Sequence, residues 1–393
     1  MKYMIGVPDM IYLDHAATSP MCTEALEAMK PFLNETFYNP SSLYSPARTA
    51  RTAVKEARET VASCIGADPS EIVFTSGGTE GDNWAVKGTA LSAMTGSLPR
   101  RIVTQATEHH AVLLPCDSLK DLGFESVRLP VNRKGVLSPD TLKQALKTRT
   151  LLVSVMTANN ETGTLQPVCE LAEMAHSAGA LFHTDAVQAV GHIPLNMKII
   201  PADLLTASSH KFGGPRGAGF LYIRRGTRLP PLLEGGGQEM GMRSGTENTA
   251  AIAGMAAALK KRTEAMAEEM LHKERLRGLL IDRLLRRGLE FVINSDDKHL
   301  PGLLSISFRD ADGEMTLHRL DLMGIQVSTG AACNSMSTEI SHVIRAQGLP
   351  EKYAKGTIRV SFGPDNTDED AERLAEALGT IVVQPHHCAC GKT

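Results

Sequence analysis

The chain lacks any surplus of positive charge. Its 41 Lys and Arg stand against 44 Asp and Glu, a formal net charge of −3, with no long basic run. Charge therefore lends no support to a nucleic-acid or membrane-surface role, and neither partner is expected. No apolar run approaches the ~18 residues that span a bilayer. The opening stretch MKYMIGVPDMIYLDHA has one lysine, and proline and aspartates interrupt its apolar residues. It lacks the shape of a signal peptide, and a cytoplasmic protein is the expectation. There is no 20–50-residue repeat and no low-complexity segment. The seven cysteines (Cys22, Cys64, Cys116, Cys169, Cys333, Cys388 and Cys390) are odd in number and widely scattered, which argues against a disulfide framework. Most are expected to be buried apolar residues. What remains is an ordinary globular composition, 42% apolar and 22% charged over 393 residues, long enough for two or three domains.

From about residue 70 to 225, short apolar runs alternate with helical patterns. EIVFTSGG (71–78), RRIVTQA (100–106), TLLVSVMTA (150–158), ALFHTDA (180–186), ADLLTAS (202–208) and AGFLYIR (218–224) read as strands. PVCELAEMAHSAG (167–179) reads as a helix closing on a glycine. The alternation predicts an α/β fold with a mostly parallel sheet covered on both faces. Residues 249–288 change to an Ala-, Leu- and charge-rich stretch without proline, one long helix or two, bridging to a second unit. There LLSISFRD (303–310), GIQVSTG (324–330) and TIRVSFG (357–363) read as strands, and TDEDAERLAEALGTIV (367–382) as a helix with a strong N-terminal cap. The expected domains are a large one over 17–255, a smaller α+β one over 1–16 and 256–380, and a tail over 381–393.

Three stretches carry chemistry in combination. In FTSGGTEGDNW (74–84) a strand ends, Gly77 and Gly78 turn, and Thr79 opens a helix whose unpaired N–H groups suit a phosphate. A tight turn with a threonine cap would look the same. HTDAVQA (183–189) places Asp185 at a strand's C-terminal end, where ligands of open α/β sheets sit; it could hold a protonated ring nitrogen or merely cap the next segment. TASSHKFGGPRG (206–217) sets Lys211 behind Ser208, Ser209 and His210 and ahead of two glycines, which let backbone approach a flat ligand. Ser208 and His210 could donate to a phosphate while Lys211 forms an imine with an aldehyde; alone, Lys211 could be a solvated side chain beside a turn. Lysine, carboxylate and phosphate cradle together point to pyridoxal 5′-phosphate (PLP). His109 of TEHHAV (107–112) could stack on its ring and relay protons, or belong to a polar loop. Asn160 of ANNETG (158–163) could bond the ring hydroxyl, or belong to an Asn-rich turn. Cys333 lies in STGAACNSMSTEIS (328–341), small, polar and entered through glycine, a setting that suits an exposed thiol on a mobile loop.

These residues resemble a cysteine desulfurase of the NifS/IscS type, within the fold-type I PLP-dependent enzymes and the class-V aminotransferase family. The likeness runs from YLDHAATSP (12–20) to IRVSFG (358–363) through SGGTE, TEHHAV, NNETG, HTDAVQ, SSHKFGGP, GMRSGTEN and STGAAC. It implies a large domain with a mostly parallel seven-stranded sheet. It implies Lys211 as the residue bound to PLP and the base for the α-proton, and Asp185 on the pyridinium nitrogen. Gln188 and Asn160 would bond the ring's phenolic oxygen, with Asn160 also close to substrate. His109 would stack and move protons. Gly78, Thr79, Ser208 and His210 would hold the phosphate. Thr246 would reach the phosphate of the neighbouring subunit of a homodimer, and Arg359 would clamp the substrate carboxylate. Cys333 would be the nucleophile that takes sulfur from L-cysteine as a persulfide, leaving L-alanine.

The same likeness leaves the sulfur acceptor open: an iron–sulfur scaffold, a tRNA-modifying enzyme or another carrier. The segment around Cys333 resembles the long-loop, IscS-like branch. His15, Tyr44 and Gly81 stand where the family commonly has other residues. Rival readings are an aminotransferase, a selenocysteine or kynurenine lyase on the same scaffold, or an inactive scaffold for sulfur-transfer partners. In the tail QPHHCACGKT (384–393), His386, His387, Cys388 and Cys390 could bind a metal or relay sulfur, although four ligands so close rarely close one tetrahedral site. A disordered tail is the plainer reading.

Overall fold

The structure is a computed structural model that describes residues 10–94, 96–329 and 340–382. A short first strand, β1 (Ile11–Tyr12), belongs to a second unit; the next seven strands build one sheet. They are β2 (Ile72–Thr75), β3 (Arg101–Gln105), β4 (Glu125–Leu129), β5 (Leu152–Ser154), β6 (Leu181–Asp185), β7 (Leu204–Ser208) and β8 (Gly219–Ile223), in the order β2-β8-β7-β6-β5-β3-β4. Every residue of β2, β3, β5, β7 and β8 is buried, the pattern of strands covered on both faces.

The pairing direction positions the site. β4, β3, β5, β6 and β7 run parallel, and β8 alone is antiparallel to both its neighbours, β7 and β2. Reversing twice returns β2 to the direction of β7. The carboxyl ends of β2, β3, β5, β6 and β7 therefore open on one edge of the sheet, and the loops that begin at 76, 106, 155, 186 and 209 emerge together there.

The second unit holds β9 (Phe291–Ile293), β10 (Leu303–Phe308) and β12 (Thr357–Ser361) as an antiparallel sheet, with β10 in the middle. β1 pairs in parallel with β11 (Ile325–Gln326), so the chain's first described residues return to its last third. One helix, Thr249–Arg286, serves both cores. Ala251, Ile252, Met255 and Leu259 pack into the larger core. Leu276, Leu280 and Leu284, spaced four apart on one face, pack into the smaller one with Ile306, Phe308, Ile358 and Val360. The boundary expected at 255/256 falls inside this uninterrupted helix. The last helix, Asp368–Ile381, starts with a reciprocal cap: Asp370 N–H donates to Thr367 Oγ1 (3.3 Å) and Thr367 N–H to Asp370 Oδ2 (2.9 Å).

Three strands escaped the run-by-run reading. β4 is an edge strand, ESVRL, with Glu125 and Arg128 exposed. β1 and β9 have only two and three residues.

Leu280→Ala is expected to cost about 2–5 kcal/mol in urea unfolding, because it empties part of the smaller core. Leu285→Ala, on the same helix at a position 60% exposed, should stay within about 0.5 kcal/mol.

Candidate active site

Lys211 closes a 3-10 turn, Ser209–Lys211, directly after β7. Its Nζ donates to the carbonyls of Ala16 (2.7 Å) and Ala17 (2.9 Å). Ser19 grips the turn from the other side: its N–H donates to His210 O (2.9 Å) and its Oγ to Lys211 O (3.1 Å). Gly213 follows at φ +83°, a conformation that side-chain-bearing residues rarely adopt.

Asp185 ends β6, and its Oδ1 accepts from Val187 N–H (2.9 Å). Burial pushes its carboxyl up to about 6; that hydrogen bond and the charge of Lys211 pull it back. Two further carboxyls, Asp82 and Glu108, are fully buried nearby. Burial, reinforced by the charge of Asp185, holds both well above the usual range. His109 caps the helix His110–Ser118: its Nδ1 accepts from Ala111 N–H (3.1 Å). Nδ1 is thus an acceptor, and the ring's proton sits on Nε2. Burial, then the charges of Lys211 and His110, lower its pKa to about 4, so the imidazole is neutral at physiological pH.

Gly77 adopts φ +147°, and a Cβ there would stand 3.6 Å from Ser208 Oγ. A Cβ on Gly78 would sit 2.7 Å from Val187 Cγ2. With Gly77, Gly78, Thr79, Ser208 and His210, the groups Thr18 and Arg216 border a cavity of about 330 Å³. His210 Nδ1 lies 3.1 Å from Thr18 Oγ1, and burial, then Lys211, lower its pKa to about 4. Glu80 would oppose an anion at this helix start, but Arg243 neutralises it with two bonds, Nε–Oε1 2.9 Å and Nη2–Oε2 3.0 Å. Arg243 belongs to a loop whose Glu239 is itself buried, held by both Nη atoms of Arg58 (2.7 Å each) and by Phe74 N–H (2.8 Å). That double anchor holds Glu239 and Met240 at φ +48° and +60°. Thr246, on the same loop, is exposed and is not among the residues around the cavity.

Arg359, on β12, is only 4% exposed. Its Nη2 donates to Asp14 Oδ1 (2.6 Å) and its Nη1 to the Asn160 carbonyl (2.8 Å), while Nε has no partner among the described residues. Asn159, not Asn160, holds the NNETG turn: its Nδ2 donates to Thr107 O (2.9 Å), and its Oδ1 accepts from the N–H groups of Glu161 and Thr162 (2.9 and 2.8 Å). Gln188 Nε2 donates to Ala16 O (2.9 Å), the carbonyl that Lys211 also meets. Asp14, Ala16, Ala17, Arg216 and Arg243 are site residues that sequence reasoning missed. Their signal was the unassigned YLDHAATSP segment and the charged residues inside two recognised motifs. Cys333, His386, His387, Cys388 and Cys390 lie outside the described residues.

The model of the class-V aminotransferases matches residues 11–374. The chain is 48% identical over 379 residues to the cysteine desulfurase IscS of Dictyoglomus turgidum, covering 94% of this chain and 96% of that protein. It is 44% identical to the IscS of Methanosarcina thermophila, covering 95% and 92%. A solved NifS-like protein superposes with a TM-score of 0.89 at 36% identity, covering 95% of this chain and 99% of that one. A structure titled SspA in complex with cysteine superposes at 0.80 with 34% identity, covering 90% and 99%.

The chain belongs to the class-V aminotransferase family. As a member of that family it is a PLP-dependent enzyme of fold-type I. The residues present fit that cofactor. An amine, a buried carboxylate and a neutral imidazole meet at one sheet edge, and the glycine turn borders the adjoining cavity together with Ser208 and His210. At Gly81 a Cβ would be 2.6 Å from Thr206 Cγ2, so a larger residue would need Thr206 to move.

In the cofactor-free protein, His109 should stay neutral on acidification until about pH 4, well below an ordinary histidine. Histidine NMR titration, with the signal assigned by a His109→Asn variant, measures this; a midpoint near 6.5 would contradict the burial argument.

Proposed function

We propose that this cleft removes sulfur from L-cysteine and that Lys211, Asp185, His109, Arg359 and Cys333 do the work. The chain is a cysteine desulfurase, in line with its full-length identity to the IscS proteins. The observation that carries the residue assignment is the convergence of Lys211, Asp185 and His109 on one sheet edge, with the charge of Lys211 acting on both other groups.

PLP, when bound, supplies a sink for the electron pair left at the substrate's Cα. Lys211 would hold the cofactor through its amine and act as the base for the α-proton. Asp185 would keep a proton on the ring nitrogen; its raised proton affinity suits a shared proton. His109 would stack on the ring and donate from Nε2, since its Nδ1 accepts from Ala111 N–H. Gly78, Thr79, Ser208 and His210 would hold the phosphate, with Thr246 reaching the phosphate site of the second subunit in a homodimer. Gln188 and Asn160 would face the ring's phenolic oxygen. Arg359 would take the substrate carboxylate with Nε, the donor without a partner among the described residues, alongside an Nη. Asp14 fixes the plane of that guanidinium beforehand.

Cys333, as thiolate, would attack the substrate sulfur. The S–S bond forms as the C–S bond breaks, and the bond's electron pair goes to carbon. Protonation there releases L-alanine, so L-cysteine plus thiol become L-alanine plus persulfide. The persulfide would then pass to an acceptor protein, such as a scaffold for iron–sulfur clusters. No helix among the described residues is long and apolar enough to cross a membrane, and a cytoplasmic location is part of the same reading.

Cys333→Ala should keep the yellow cofactor band yet release no sulfide from L-cysteine with a reductant. Sulfide release at the wild-type rate would sink the assignment. Lys211→Ala should lose the lysine-dependent band. Arg359→Lys should raise KM for L-cysteine roughly 10–100-fold, the worth of one or two charge-assisted hydrogen bonds, with a smaller change in kcat.

A further inference from the structure

Behind the turn that carries Lys211 lies a buried group of charges that the proposed chemistry does not use. Arg262, Glu269 and Lys273 face inward from one side of the long helix and are 8%, 9% and 3% exposed. Arg262 Nη1 donates to Glu269 Oε1 (2.6 Å), and Lys273 Nζ lies 3.6 Å from Glu269 Oε2. Two cations thus share one carboxylate away from water, a costly arrangement unless the surplus donors are used. They are used on the Lys211 turn. Arg262 Nε donates to Phe212 O (3.1 Å). Lys273 Nζ lies 3.5 Å from His192 Nδ1, and His192 Nε2 lies 3.0 Å from Lys211 O.

Donor chemistry settles the protons along this chain. An ammonium only donates, so His192 Nδ1 accepts; Nε2 then carries the hydrogen and donates to the Lys211 carbonyl. Burial first, and the charge of Lys273 next, hold His192 far below its ordinary pKa, in keeping with a neutral ring. The other titratable groups facing the cluster are His15, which burial and Arg262 hold at about 4, and Asp365 beyond it. The backbone is shaped around the cluster. Gly191 and Gly302 sit at φ +78° and +76°; a Cβ on the first would be 2.7 Å from Phe212 Cβ, and on the second 2.6 Å from Lys273 Cβ. The cluster also lies between Leu259, the helix's last residue in the larger core, and Leu276, its first in the smaller.

We infer that Arg262, Glu269, Lys273 and His192 are positioning residues for Lys211, a relay that fixes the backbone of its turn and sets the electrostatic field at its nitrogen. The inference rests on Lys211 being the residue that binds the cofactor. That role needs an amine free to leave the Ala16 and Ala17 carbonyls on a backbone that does not move. Two carbonyls of the turn are gripped by the relay, one of them jointly with Ser19.

The test is a pH titration of the yellow, Lys211-dependent absorbance band of the PLP-loaded enzyme without substrate, with thermal melting of each variant alongside. Lys273→Met removes a cation and should raise the midpoint by roughly half a unit. Glu269→Gln removes the anion and should lower it by a similar amount. Lys273→Arg keeps donor and charge and should return the wild-type midpoint. A purely structural role would lower the melting temperature of both Lys273→Met and Glu269→Gln and leave both midpoints alone. Unchanged midpoints, or shifts in the same direction, overturn the inference. Should Glu269→Gln fail to fold with two uncompensated cations, the pair Lys273→Met and Lys273→Arg decides: an unmoved midpoint in Lys273→Met overturns it. If the wild type shows no band that Lys211→Ala abolishes, the reading of Lys211 fails instead.

Discussion

The positive charge of one lysine amine, held in a partly dry cleft, organises the chemistry around it. It offsets part of the desolvation that pushes Asp185 toward its neutral form, and it adds to the desolvation that keeps His109 and His210 neutral. An anion on one side and uncharged donors on the other is what a cationic pyridine ring with a phosphate arm requires. The same amine is parked on two backbone carbonyls, Ala16 and Ala17. Hydrogen bonds of that kind are exchangeable for comparable ones at modest cost, so the amine is held without being locked.

The sheet brings these groups to one edge through the pairing directions of its strands. Because β8 runs against both its neighbours, β2 regains the common direction, and its glycine turn arrives beside the ends of β6 and β7. Arg359 comes from elsewhere, on β12 of the smaller unit, and is tied to the larger by the Asn160 carbonyl and to the N-terminal segment by Asp14.

Much of this was legible in the sequence because it is local. Strand ends followed by glycine or small polar residues announce loops that meet ligands, and SGGTE, HTDAVQ and SSHKFGGP are all of that kind. The Thr367 cap was readable for the same reason: its partner is three residues away. What stayed hidden depends on distant pairing. No local pattern tells that Asp14 meets Arg359, 345 residues on, that Arg58 meets Glu239, or that Lys273 reaches His192. β4 was missed because an edge strand with charged side chains resembles a loop, and a helix that crosses between cores carries no mark at the crossing.

The 38 residues of that crossing helix form a rod ~57 Å long whose two ends are embedded in different hydrophobic interiors. One continuous element thus enters both hydrophobic cores, and the buried charges that meet the Lys211 turn lie on the span between them.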